Sequence, residues 1–447
     1  MRPSLIVVLL AGVVLGACRE ADAPLGNGRL FVDSDPQGGR IFVDNEDTGL
    51  VTPDTVTELG SLRDVRVELD SGGVRYRYTA RVLVEPNEVT TLTGPLMARC
   101  VQVSSSSCSP TVASHTVAGL RFLTSATGAL FNGNAGTPGL TWPASSTDGY
   151  SVAGTPSFAG THQGQPAALN PYDQFYLAGR PAPVRVQAGG NLELVQTTWV
   201  VPPLEEQGVN APRGLEVRQY VVASDATPGV VVVELRYRNI STEPLYRIVD
   251  AGIAAGGTTW QNAYIGLALD PDIGAAADDW VSYDPALDAV YAYDSNFTEG
   301  SFTNATAPGL LGLRVLRAPP GTDVVLNTWE ALRDWSAATT SQATGYGMLS
   351  GTTVFAPDHP GTQVGYLPEA AGDLRIVASA GPLELAPGDS ASIVLAIAVA
   401  APQTGTFTPG VATAPGNPDD TGRPLHAVAA LLRERLIAAE ALLSLLP

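Results

Sequence analysis

Apolar and polar residues alternate at a period of two along most of this chain, which predicts β-strands with one buried face and one solvated face. Near the N-terminus the alternation recurs in five segments, 29–32, 40–43, 65–69, 76–84 and 89–92. Turn-forming residues separate these segments. Residues 28–97 are therefore predicted to form a small β-sandwich.

Residues 116–403 show the same kind of pattern on a larger scale, and we predict a larger β-sandwich-type domain. Its strand candidates share runs of β-branched and aromatic residues: 192–201, 216–222, 230–237, 264–269, 289–293, 375–378 and 392–399. The Gly- and Pro-rich piece 129–183 has weak periodicity, which favours loops and short hairpins. The chain is thus predicted to be mainly β.

The C-terminal stretch differs in kind from the rest. Over 424–447 apolar residues recur at helical spacing, Pro424 suits a first helical turn and Ala fills the other positions. An amphipathic C-terminal α-helix is predicted there, after a loop at 404–423. Two roles are open for it: packing against the β domain, or binding a partner.

The N-terminus carries the features of an export signal. Arg2 supplies a positive charge, and residues 5–15 form an apolar run too short to span a bilayer. The run leads into Leu-Gly-Ala-Cys, residues 15–18, which resembles the bacterial lipobox.

This resemblance implies that residues 1–17 are removed as a lipoprotein signal peptide and that Cys18 is acylated, for instance with palmitate. Residues 18–27 would then tether the protein to the membrane through a lipid anchor. The residue after the cysteine is Arg19 rather than Asp, which favours the outer membrane of a bacterial cell envelope. An ordinary signal peptide, with Cys18 left as a thiol, is the alternative.

A second resemblance lies in the small sandwich. Residues 34–56 read SDPQGGRIFVDNEDTGLVTPDTV, which is similar to the PEGA domain: a Ser, a Pro-x-Gly turn, a strand ending in Asp, and then G-x-T-P. Gly39 and Asn45 depart from the family's Ala and Gly. The resemblance implies an extracytoplasmic β-sandwich module without known catalysis, in which these residues hold the fold.

The net charge of the chain limits the kinds of partner it can bind. The chain carries 44 acidic and 25 basic residues, which gives a net charge of -19. This charge argues against nucleic acid as a partner, because the phosphates would be repelled.

The three cysteines have two different expected roles. Cys18 is the acylation site, and we expect Cys100 and Cys108 to form a disulfide in an exported protein. That pair lies in a Ser-rich linker at 98–115.

The densest group of acidic residues follows the strand candidate at 264–269. It comprises five aspartates: Asp270, Asp272, Asp278, Asp279 and Asp284. Calcium prefers six to eight oxygen ligands, and a loop at a strand end supplies carboxylates and backbone carbonyls together. A calcium site is one interpretation, and a solvated acidic turn with side-chain to backbone hydrogen bonds is the other.

The segments 264–294 and 380–389 also resemble a large uncharacterised region of secreted bacterial surface proteins. There the pattern is Y-V-G-L-W-x-D-x-D-x-G, then D-D, and later S-G-P-x-x-L-x-P-G-D; this chain has YIGLALDPDIG, Asp278-Asp279 and AGPLELAPGD. The resemblance implies a β protein of the cell surface, with no established activity.

No catalytic motif is present in the sequence: the four histidines lie far apart and no nucleophile elbow or phosphate-binding loop is found. We therefore expect a lipid-anchored envelope protein with a structural, adhesive or binding role, no catalysis, and an envelope polysaccharide or protein as partner. The alternative is a surface enzyme or binding protein that acts on polysaccharide, which would need two converging carboxylates.

Overall fold

The computed structural model describes residues 27–35, 37–71, 74–99, 112–125, 128–131, 133, 138–147, 149–169, 177–179, 184–188, 190–200, 212–249, 253–294, 309–330, 342–352, 371–401 and 424–447. This part of the chain is mainly β, as the sequence predicts, and it ends in a C-terminal helix. Cys18, Cys100 and Cys108 lie outside the described residues.

Eight strands form the N-terminal module: β1 (Gly28–Asp35), β2 (Arg40–Val43), β3 (Glu46–Val51), β4 (Asp54–Leu59), β5 (Ser61–Ser71), β6 (Val74–Val84), β7 (Val89–Pro95) and β8 (Met97–Arg99). A three-stranded sheet in the order β4-β1-β7 packs on the strands β3, β2, β5, β6 and β8. Alternate residues of both layers, such as Leu30, Ile41 and Val67, are fully buried between them. The module is the small sandwich that its alternating pattern predicts.

Turn chemistry explains the PEGA-like residues of this module. Asp44 and Asn45 connect β2 to β3 as a two-residue turn, and both have positive φ, which Asn tolerates in place of Gly. The Ser34 and Thr52 hydroxyls lie 2.5 Å apart, and the Thr52 hydroxyl also accepts a 3.1 Å hydrogen bond from the Gly39 amide. The motif therefore ties three separate segments of the module together.

The large domain contains the other strands, with the following bounds: β9 (Val112–Val117), β10 (Leu120–Ser125), β11 (Leu140–Thr141), β12 (Gly149–Ser151), β13 (Ala153–His162), β14 (Gln165–Ala168), β15 (Leu177–Gly179), β16 (Val184–Ala188), β17 (Asn191–Val200), β18 (Leu215–Ser224), β19 (Val230–Asn239), β20 (Trp260–Asp270), β21 (Asp279–Asp284), β22 (Ala289–Asp294), β23 (Leu310–Arg317), β24 (Asp323–Glu330), β25 (Leu374–Leu385) and β26 (Ser390–Ala400). The described residues of this domain also form three α-helices: α1 (Pro244–Val249), α2 (Gln342–Ser350) and α3 (Pro424–Ala438). A 3₁₀ segment, Ala439–Leu445, continues α3.

Two sheets enclose the main core of this domain. One contains β21-β22-β23-β26-β19-β18-β17 in that order, and the other is the five-stranded sheet β14-β13-β20-β25-β24. Val231 and Val233 of β19 face Ile265 and Leu267 of β20 across this core. The arrangement is a sandwich, in agreement with the predicted class.

Both faces are buried over residues 230–233 of β19 and residues 393–400 of β26, which explains why these two stretches are apolar without interruption. Odd-numbered residues of β26, such as Leu395, belong to the core between the sheets, whereas even-numbered residues, such as Ala396, pack beneath α3. The residues under the helix are small in β26, so the helix can approach the sheet closely. The C-terminal helix thus packs on its own chain.

One segment contradicts its sequence prediction. Residues 129–183 are predicted to consist of loops and short hairpins, but within them β13 is a ten-residue strand between β14 and β20. Its sequence, AGTPSFAGTH, is built mostly of small residues, which carry little hydrophobic signal even though most of the strand is buried. Similarly, β9 begins at Val112, so the last part of the predicted linker is strand.

The module and the large domain share a sheet. Strand β8 pairs with β6 of the module on one side and with β15 on the other, and β15 in turn pairs with β17. One hydrogen-bonded path therefore runs from β3 to β21. Within the described residues, no helix is both long and apolar enough to cross a membrane.

Candidate metal centre

The acidic group lies where β20 ends and β21 begins. Asp270 is the last residue of β20, and its backbone carbonyl accepts hydrogen bonds from the Ser151 hydroxyl at 2.7 Å and the Val152 amide at 3.1 Å. Ile273 anchors the following turn because its side chain is fully buried in the main core. The turn is therefore held in one conformation by contacts on both sides.

Strand pairing brings a second segment to this turn. Strands β20 and β25 are antiparallel, with Leu269 opposite Ile376. Continuing that register by one residue places Asp270 opposite Arg375, and two residues further Asp272 comes opposite Asp373. One carboxylate oxygen from each of three aspartates, Asp270, Asp272 and Asp373, lies within 4.8 Å of the others.

Arg375 is the cation of this group. Its Nη1 atom lies 2.6 Å from Oδ1 of Asp270, and the same nitrogen contacts Asp373. The side chain of Asp270 is only 7% exposed and that of Arg375 10%, so little solvent screens their charges. Two of the three carboxylates, those of Asp270 and Asp373, thus contact one guanidinium, and the Asp270–Arg375 pair lies in a largely dry environment.

Asp279 adds a further carboxylate beside the group. It is completely buried, and its Oδ2 accepts a 3.2 Å hydrogen bond from the Ile273 amide. Its Oδ1 has no hydrogen-bond partner among the described residues. The backbone of Asp279 bridges to Gly372, directly before Asp373, which fixes β21 against the segment that leads into β25.

Burial, and to a smaller extent the neighbouring carboxylates, disfavours the ionised forms of these aspartates. Burial, followed by the charges of Asp272 and Asp373, raises the pKa of Asp270, and burial together with the charge of Asp373 raises that of Asp272. Burial also raises the pKa of Asp279, and the charges of Asp272, Asp294 and Asp278 add to the effect. Burial lowers the pKa of Arg375 to about 9, so this side chain stays protonated at neutral pH.

The predicted aspartates do not all meet at one point. Asp270 and Asp272 belong to the three-carboxylate group, and Asp279 and Asp278 lie beside it. Asp284 is at the other end of β21, where its Oδ2 lies 2.9 Å from Nε of Arg433 in α3. Asp284 is therefore separated from the group by the length of the strand, about 16 Å at the rise of an extended chain.

The sequence around the turn gives no indication of two residues that belong to this group. Asp373 and Arg375 lie about a hundred positions further along the chain and reach the turn only because β25 pairs with β20. The one available hint is that the segment 380–389, which carries part of the surface-protein resemblance, lies in and just after β25. Strand β20, which pairs with β25, carries another part of this resemblance.

The donor set favours a hard cation. All three converging donors are carboxylates, and calcium–oxygen distances of about 2.3–2.6 Å allow ligands on opposite sides of one ion to be about 4.6–5.2 Å apart. The 4.8 Å limit on the three oxygens fits this span. The described residues at the turn offer no thiolate or imidazole to the group, which distinguishes it from a structural zinc site.

The described chain is thus a two-module, mainly β protein with a buried acidic group at a sheet edge. Residues 27–99 match the family model of the PEGA domain, in agreement with the resemblance found in the sequence. No curated protein sequence matches the chain.

Three solved structures that resemble this chain do so only remotely. A heparan sulfate lyase mutant from Pedobacter heparinus is 12% identical with a TM-score of 0.22, covering 50% of this chain and 22% of its own length. A polysaccharide lyase is 14% identical with a TM-score of 0.21, covering 56% of this chain and 26% of its own. A galactose 1-epimerase from Lactobacillus acidophilus is 8% identical with a TM-score of 0.25, covering 82% of this chain and 100% of its own.

The chain spans about a quarter of the length of the two lyases. TM-scores this low do not define a shared fold, so these similarities carry no argument about activity.

Proposed function

We propose that this chain is a lipid-anchored protein of the bacterial cell envelope, in which a PEGA-like module carries a larger β domain with a structural, adhesive or binding role and no catalysis. The proposal places the anchor at Cys18 and the protein at the outer membrane. Its partner is an envelope polysaccharide or protein.

The observation that carries this proposal is the sheet shared by the two modules. A module joined by a free linker would let the large domain move independently of its anchor. Here β8 belongs to both modules, and α1 of the large domain also contacts β6 and β7. Such a base suits a protein that presents one surface from a membrane in a fixed orientation.

Lipidation at Cys18 is the part of the proposal that is tested first. The full chain is expressed in a bacterium with two membranes and labelled with an alkyne analogue of palmitate. We expect label on the wild type and on the Cys100→Ser control, and no label on Cys18→Ser, which should also leave the membrane fraction. Label that persists on Cys18→Ser, or a wild type without label, would refute the anchor.

The alternative of a surface enzyme acting on polysaccharide is not better supported. Converging carboxylates are present, but Asp270 is 6% exposed and contacts Arg375. The aromatic side chains Tyr150, Trp260 and Trp280 are buried rather than arranged on a sugar-binding surface. We expect no new reducing or unsaturated chain ends when envelope polysaccharides are incubated with the protein.

A further inference from the structure

We propose that Asp270, Asp272 and Asp373 bind one divalent cation of the calcium type, and that this ion fastens the ends of β20, β21 and β25 to one another. The site does not depend on lipid anchoring, so the two proposals can fail separately. Water or backbone carbonyls complete the ion's coordination, as is usual for calcium.

The first argument is the imbalance of charge. Three carboxylates lie within reach of one ion, Asp279 and Asp278 stand beside them, and Arg375 is the cation that contacts the group within the described part of the chain. Carboxylates that share a site without sufficient counter-charge destabilise the folded state, because each ionised form raises the cost of the next. A divalent cation removes this cost.

The second argument is the buried oxygen of Asp279. This side chain is completely buried, the charge of Asp272 helps to raise its pKa, and its Oδ1 has no hydrogen-bond partner in the described chain. A buried acceptor without a partner is costly, typically about 1–3 kcal/mol and more for a charged group. Nearby positive charge in the form of a bound ion compensates for it.

The third argument is the position of the donors. They come from three places in the chain: the end of β20, the turn that follows it, and the residue before β25. The bridge between Asp279 and Gly372 brings β21 to the same point. An ion there adds to the hydrogen bonds and the Arg375 ion pairs that hold these segments together at the end of the sheet.

The test is calcium binding to the full-length chain in detergent, measured by isothermal titration and by thermal unfolding with calcium or with chelator. We expect one ion per chain. When free calcium is 100 times its dissociation constant, the unfolding equilibrium constant should fall about 100-fold. Magnesium should bind more weakly because it requires a tighter octahedral arrangement.

Two isosteric variants identify the donors. Asp272→Asn and Asp373→Asn should each lose at least ten-fold in calcium affinity. In chelator, however, Asp272→Asn should unfold at the same temperature as the wild type or higher, because it removes a like charge from the group. Asp373→Asn also loses the ion pair with Arg375 and should unfold at a lower temperature in chelator. The matched control is Asp288→Asn, which makes the same charge change in the loop before β22 and should keep the full calcium response.

Arg375→Gln provides an independent readout. If Arg375 competes with the ion for Asp270, removing the guanidinium should increase calcium affinity even if it lowers stability in chelator. The proposal is overturned if wild-type protein shows no calcium binding at millimolar concentration. It is also overturned if Asp272→Asn and Asp373→Asn bind as tightly as the control.

Discussion

The Tyr237 hydroxyl joins the two sheets of the large domain. It lies 2.8 Å from the carbonyl oxygen of Ser157 in β13 and 3.0 Å from that of Gly266 in β20, so its proton is shared between them. The side chain is fully buried, and burial raises its pKa, which keeps the hydroxyl protonated as a donor. Apolar packing alone would not satisfy these two carbonyls.

We therefore expect Tyr237→Phe to lower the free energy of unfolding by about 1–3 kcal/mol, because both carbonyls lose this donor without gaining water. Denaturant unfolding monitored by circular dichroism measures the change. Tyr264→Phe, at a half-buried tyrosine of β20 in the opposite sheet, serves as the control and should change stability by less than about 0.5 kcal/mol. Equal effects from both variants would contradict this account.

Gly266 is required for close approach of two strands. A Cβ atom at this position would lie 2.3 Å from the carbonyl oxygen of Ala378 in β25, and backbone atoms cannot yield as a flexible side chain can. The residue is the glycine of the Tyr-Ile-Gly-Leu sequence that resembles secreted surface proteins. Its presence there is explained by packing of β20 on β25.

Gly266→Ala should therefore lower the free energy of unfolding by at least about 1–3 kcal/mol, the usual cost of overpacking a core. Gly256→Ala is a matched control, since a Cβ there meets nothing within 4 Å. Thermal unfolding of both variants separates the steric effect from the general effect of replacing glycine. A stable Gly266→Ala protein would mean that β20 and β25 can move apart at this point.

At the scale of elements, α3 shows how one face of a helix covers a sheet. Leu432 and Leu436 are each 1% exposed and pack on the outer face of the large sheet, whereas Ile437 is 49% exposed. Ionic and polar contacts fix the C-terminal half of the helix: Arg433 pairs with Asp284, and Arg314 donates a 2.8 Å hydrogen bond to the Leu436 carbonyl. The helix is thus an integral layer of the domain.

Leu432→Ala should cost about 2–5 kcal/mol of unfolding free energy, since it removes buried methyl groups and leaves a cavity. Ile437→Ala, on the exposed side of the same helix, should cost less than about 1 kcal/mol. Chemical denaturation of the two variants gives the comparison. If the exposed position were the more sensitive one, α3 would be packed through its other face, and binding of a partner through Ile437 would have to be considered.

Strands can be predicted from this sequence where apolar and polar residues alternate clearly or where large apolar side chains predominate. The runs at 230–237 and 392–399 are recognised as strands because apolar residues, mostly Val, Ile and Leu, predominate in them. Their apolar residues on both faces do not reveal, however, that a helix covers one of the two faces. β13 could not be found in this way, because its Gly, Ala, Ser and Thr residues are buried by their neighbours rather than by their own hydrophobicity.

The acidic group shows the same limit. Asp270, Asp272, Asp278 and Asp279 are close in sequence, so local density indicates them, whereas Asp373 joins the group only through strand pairing. Local density also points wrongly to Asp284, because the six-residue strand β21 carries it away to α3. Sequence proximity places residues on one turn but does not determine which strand lies beside it.

At the scale of the whole molecule, the path of the sheet through β8 and β15 determines how the large domain stands on its N-terminal module. The pairing is short, with Ala178 opposite Arg99 and Gly179 opposite Ala98. Its importance comes from its position, because on that sheet path β8 and β15 are the strands that connect the two modules. The proposed display role depends on this contact.

Cysteines introduced at Arg99 and Ala178 should therefore cross-link. Opposite residues of antiparallel strands have Cα atoms about 4.5–5.5 Å apart, within the range of about 4.4–6.8 Å that a disulfide accepts. Cys18, Cys100 and Cys108 are replaced by Ser in this experiment, and peptide mapping under non-reducing conditions detects the bond. The control pair, Met97→Cys with Ala178→Cys, is displaced by two residues and should cross-link poorly because diagonal positions are about 7–8 Å apart. If both pairs cross-link equally, or neither does, the two modules are not held in this register, and a fixed orientation of the large domain on its anchor must be given up.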